Sequence, residues 1–65
     1  MNLQKIANIL VRRGDGTFDD CMEEVLNCQA EVMSHIEEGQ LMAAEDAIID
    51  NLGLEPDCLY DLVDL

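Results

Sequence analysis

Between Phe18 and Leu52 the apolar positions fall at helical spacing in two runs separated by a glycine. Phe18, Cys21, Met22, Val25, Cys28 or Gln29, Val32 and Ile36 follow the i, i+3, i+4, i+7 rule of an amphipathic helix, with Leu26 and Met33 on its flank. Gly39 and Gln40 break the pattern; Leu41, Ala44, Ile48 and Leu52 resume it, helped by Met42 and Ile49. A break this short requires the two helices, about residues 18–38 and 40–52, to fold back as an antiparallel hairpin. Ala43, Ala44 and Ala47 allow close helix approach.

The flanks read as attachments to that hairpin. Leu3, Ile6 and Leu10, with Ala7 and Ile9 widening the stripe, predict a short helix over residues 2–13. Arg12 and Arg13 fall in its last turn, where cations favour the carbonyl end of the helix dipole, and Gly14 suits a left-handed stop. Thr17 is placed to cap the next helix, and Asp19 and Asp20 complement its dipole. Gly53 closes the third helix, Leu54 can pack back on it, and Pro56 can start a short acidic helix over residues 56–65. That segment places Leu59, Leu62 and Val63 on one side and Asp57, Asp61 and Asp64 on another. Its leucines either cover the open side of the hairpin or project as a tail that docks into a partner.

The expected fold is therefore all-α: a single domain of three to four short helices, with the hairpin over residues 17–53 at its centre. A chain of 65 residues has a core worth only about 3–5 kcal/mol, and no staple is evident. Antiparallel homodimerisation would join two such cores and hide Met22, Leu26, Met33 and Met42. The apolar residues expected in core or dimer contacts are Phe18, Met22, Val25, Leu26, Val32, Met33, Ile36, Leu41, Ile48, Leu52, Leu59 and Leu62.

Charge changes this picture most. Lys5, Arg12 and Arg13 are the only basic side chains and precede Gly14, while all 15 Asp and Glu follow it, for a net charge of −12. Such a body repels nucleic acids and anionic membranes, whose binding needs cations to replace phosphate counterions. No apolar run approaches the roughly 18–20 residues that span a bilayer. Three cysteines, an odd number without C-x-x-C spacing, fit reduced thiols in a cytoplasmic setting better than disulfides.

Several chemical motifs dissolve on inspection. Gly14-Asp15-Gly16-Thr17-Phe18-Asp19 looks like the heart of an EF-hand loop. In that register the required carboxylate positions fall on Val11, Arg13 and Met22. Cys21, Cys28 and His35 recur every seven residues, a helical rise of about 10.5 Å per interval, too far for ligands that must converge about 2.0–2.3 Å from one zinc. Ser34 and His35 point about 100° apart on a helix and are not a nucleophile and its base. No cofactor is expected, and the carboxylate pairs point away from any concavity, so an enzyme is not expected either.

Gly39, Leu41, Ala44, Ile48, Asn51, Leu52, Leu54 and Pro56 resemble the second half of a tetratricopeptide repeat over 18 residues. In the first half, Cys28, Glu31, Val32 and His35 stand where that family carries a large apolar residue, leucine, a small residue and an aromatic. Asn51 replaces a small alanine, and there is no second copy to stack on, so the family's peptide groove does not transfer.

What remains is an acidic surface: Asp19, Asp20, Glu23, Glu24, Glu31, Glu37 and Glu38 on the second helix, with Asp57, Asp61 and Asp64 at the end. Helix rows of carboxylates repeat at ~5–6 Å, close to phosphate spacing, and can occupy a positive groove by imitating a nucleic acid. The expected function is a non-enzymatic module that regulates or inhibits another protein, basic and nucleic-acid-binding, in the manner of small phage-encoded inhibitors. The alternative is an assembly subunit that joins a larger complex through its apolar helix faces.

Overall fold

A computed structural model describes residues 2–63. Within them the chain is all-helical, with α1 (Leu3–Arg13), α2 (Phe18–Glu37), α3 (Leu41–Leu52), a 3₁₀ turn (Pro56–Cys58) and the one-turn α4 (Leu59–Leu62). No strand occurs among the described residues.

Local chemistry sets each boundary. The Asn2 side chain accepts from the Lys5 amide (3.2 Å) and starts α1, one residue later than the apolar spacing suggests. Gly14 ends it in the left-handed conformation (φ 88°), with its amide bonded back into the last turn. Thr17 Oγ1 accepts from the Asp20 amide (3.2 Å) and starts α2. Glu38 and Gln40 flank the break as C-cap and N-cap, so the helices stop at Glu37 and restart at Leu41. Gly53 (φ 63°) terminates α3 as Gly14 terminates α1.

The four helices share one core. Ile6, Ala7 and Leu10 meet Cys21, Val25, Cys28 and Val32; Ala44, Ala47, Ile48 and Leu52 close a second side, and Leu59, Leu62 and Val63 the remaining one. Leu3, Met22, Ile36, Leu54 and Cys58 pack partly buried around it. The largest interface lies between α2 and α3, followed by that between α1 and α2. Small residues at Ala44 and Ala47 bring α3 onto α2 closely enough for the Cys28 Sγ to donate to the Ala47 carbonyl (3.8 Å).

Of the apolar residues expected in core or dimer contacts, Phe18 and Leu41 stand at helix starts and are 40% and 49% exposed, so they lie outside the single-chain core. One sequence expectation needs correction. The segment 56–65 is not one helix: after α4, Val63 turns extended (φ −139°, ψ 152°) and is buried, which ends the helix. Asp64 lies outside the described residues. Of the two readings of this segment, covering applies, since Leu59 and Leu62 are buried.

Polar contacts fasten that cover. The Asn2 amide donates to the Asp61 carbonyl, Lys5 pairs with the Asp61 carboxylate (3.3 Å), and Gln29 Nε2 donates to the Leu62 carbonyl (2.7 Å). Arg13 Nη1 reaches the carbonyl of Gly53 at the end of α3 (3.3 Å), while its Nε donates to Asp15 (2.7 Å). The basic head thus places Lys5 and Arg13 on acids of its own chain; Arg12 stays exposed.

Candidate protein-binding surface

At about 100° per residue, α2 divides into three sectors. Cys21, Val25, Cys28 and Val32 face the core and are buried. Asp19, Asp20, Glu23, Glu24, Glu31, Glu37 and the C-cap Glu38 are all exposed, as the pattern requires. Between these sectors, Leu26 and Met33 remain half exposed, beside the partly buried Met22.

The acidic side chains are not equivalent. Asp19, Glu23 and Glu37 project next to Leu26 and Met33, whereas Asp20, Glu24, Glu31 and Glu38 turn toward the side where α3 packs, as their helical angles dictate. Glu31 Oε2 accepts from Asn51 Nδ2 (2.6 Å), and its Oε1 lies 3.8 Å from His35 Nε2. Asn51, a departure from the tetratricopeptide pattern, therefore tethers α3 to α2. Glu24, Asn27, Cys28, Glu31 and Asn51 line a 300 Å³ surface depression there. A second depression of 510 Å³ lies along α1, lined by Asn2, Gln4, Lys5, Asn8, Ile9 and Arg12. Asp57 is exposed, but Asp61 is half-buried beneath Lys5 and is not part of a free acidic surface.

No family model matches the chain, and no curated protein or solved structure matches it. The surface must be read from its own chemistry.

Among the described residues, no three His, Cys, Asp or Glu side chains converge as metal ligands, and no helix is long and apolar enough to cross a membrane. The three cysteines are free thiols, Cys21 and Cys28 buried in the core and Cys58 partly buried. Burial pushes the Cys21 thiol above its ordinary value of 9.0, and Glu24, Asp15 and Asp20 push the same way against Arg13. Burial, then Glu31, raises Cys28; burial, then Asp61, raises Cys58. Thiols raised in the folded state contribute stability that is fully present below the unfolded pKa and is lost as pH rises through the folded one. The melting temperature should therefore fall above pH 9.0, the unperturbed thiol value. A Cys21→Ala/Cys28→Ala/Cys58→Ala chain should show a smaller alkaline decline, measured by circular dichroism against its own neutral-pH value. In the native protein near pH 7, Cys21 and Cys28 should react with a soluble aromatic disulfide only as fast as the fold opens.

Proposed function

We propose that this protein is a non-enzymatic acidic binding module that regulates or inhibits a basic, nucleic-acid-binding partner, its α2 carboxylates standing where phosphates would. One observation carries the reading: a 20-residue helix presents exposed carboxylates from its first turn to its last, and Glu38 at its C-cap extends the row. Lys5 and Arg13 are meanwhile held by Asp61, Asp15 and Gly53 and do not neutralise that row. Turns of helix space such charges at ~5–6 Å, and a firmly packed helix holds them in place without ordering cost at the moment of binding. In this reading α2 and α3 form an antiparallel hairpin that stiffens the acidic row, supported by their three-residue connection and shared core.

The second reading is an assembly role, including self-association, favoured by the exposure of Leu26, Met33, Met42 and Ile49. Salt separates the two. Immobilised protein should capture a nucleic-acid-binding protein from its own cell lysate at low ionic strength and release it at moderate salt, because charge matching is screened over a Debye length of ~10 Å at 0.1 M. A partner retained through a high-salt wash would overturn phosphate imitation in favour of apolar assembly.

A further inference from the structure

Along one shoulder of α2 an exposed apolar stripe runs beside exposed acids, and of its residues only Met22 packs against the core. Phe18, Leu26 and Met33 are 40%, 46% and 47% exposed, and Met22, between the first two, is only partly buried. Successive steps of four, four and seven residues place them on one stripe, about 95° around the helix from the core sector and about 22 Å long. Gln29 lies within the same arc, partly buried, with its amide turned onto the Leu62 carbonyl, and the small Ala30 falls on the outer edge. Along the outer edge run Asp19, Glu23 and Glu37, all exposed, and no Lys or Arg occurs anywhere in α2.

We infer that this shoulder is a seat for a basic amphipathic helix of the partner, whose apolar residues lie on Phe18, Met22, Leu26 and Met33 and whose Lys or Arg face Asp19, Glu23 and Glu37. The inference rests on the acidic-module reading and names the element of the partner that is recognised. Charge selects this occupant over a second copy. Another copy brings its own net charge of −12 and sets an acidic row beside an acidic row, whereas a basic helix neutralises the row as it covers the stripe. Helix-in-groove recognition uses apolar anchors at steps of three, four and seven, which the stripe matches. Two methionines suit it further, since unbranched thioethers adapt to irregular partner surfaces. A helix of about 15 residues, four turns, covers the stripe from end to end.

The probe is a synthetic Leu/Lys peptide of about 15 residues with all leucines on one helical face, compared with a scrambled peptide of the same composition that has no such face. Titration calorimetry should show one-to-one binding of the amphipathic peptide at least tenfold tighter than the scrambled one. Leu26→Gln/Met33→Gln should erase that preference, and Asp19→Asn/Glu23→Gln/Glu37→Gln should weaken binding more than Asp20→Asn/Glu24→Gln/Glu38→Gln. All these side chains are exposed, so circular dichroism should show each variant folded. Equal binding of both peptides, with Leu26→Gln/Met33→Gln silent, would overturn the seat while leaving the acidic module intact. Binding that survives both sets of carboxylate replacements would overturn the module itself. A dimer by sedimentation that Leu26→Gln/Met33→Gln dissolves would assign the stripe to a second copy and overturn the inference.

Discussion

Replacing Ile48 by alanine should leave the chain unfolded in water at 37 °C. Ile48 is fully buried on α3, within the core cluster that draws on all four helices. Truncating a buried isoleucine costs ~2–5 kcal/mol once the cavity is counted. A core of this size supplies about 3–5 kcal/mol in total, so one deletion removes most or all of it. None of the helices would survive separately, because isolated helices shorter than ~12–15 residues are marginal in water and the longer α2 carries a surface of like charges. Far-ultraviolet circular dichroism should therefore show collapse of the helical signal rather than a shifted transition. Ile49→Ala, one residue away but 44% exposed, supplies the contrast and should change stability by no more than ~0.5 kcal/mol. A cooperative melt for Ile48→Ala within a few degrees of the parent would mean that the core is not what holds the chain together.

Neutralising Asp19, Glu23, Glu24 and Glu31 together, as Asp19→Asn, Glu23→Gln, Glu24→Gln and Glu31→Gln, should separate binding from stability. Steering by a field of one sign raises association rates by roughly 10–10³, and this change removes four of the 15 acidic charges, all from α2. Association with a basic partner at low ionic strength should slow by one to two orders of magnitude, and the salt dependence should flatten. Melting temperature should hold or rise, because like charges along α2 repel one another and the side-chain carbonyl left by Glu31→Gln can still accept from Asn51. Stopped-flow rates and thermal melts on the same samples read both effects. Unchanged association would identify the carboxylates as a solubilising surface and nothing more.

The helices were legible because their apolar period is carried by many residues at once. Val25, Val32, Ile48 and Leu52 each sit where the period demands, and the glycines at 14 and 53 stop helices as their left-handed preference predicts. Helix starts were less legible. Phe18 and Leu41 satisfy the period but stand in the first turn of their helices, where they stay about half exposed, so the period alone does not say how deeply a residue is buried. The fate of charged groups was least legible, because it depends on which elements meet. Lys5 and Asp61 are neighbours only after α4 returns to α1, and Arg13 finds the end of α3 only in the finished fold. Likewise, the difference between Asp19, Glu23 and Glu37 on one flank and Glu24 and Glu31 on the other emerges only once α3 has taken its side of α2.

The contact between Asn2 and Asp61 ties together residues near opposite ends of the described chain. Its partners are the most widely separated in sequence among the bonds noted above, whereas α1 with α2 and α2 with α3 are consecutive neighbours. Consecutive pairs form early and quickly, since little loop entropy is lost in bringing them together. Closure of the residue 56–63 segment onto α1 therefore carries the largest loop-entropy cost of these contacts. Any cut or extension that frees the residue 56–63 segment would uncover the apolar side of the core that Leu59, Leu62 and Val63 close, and would turn a small cooperative fold into an aggregation-prone one.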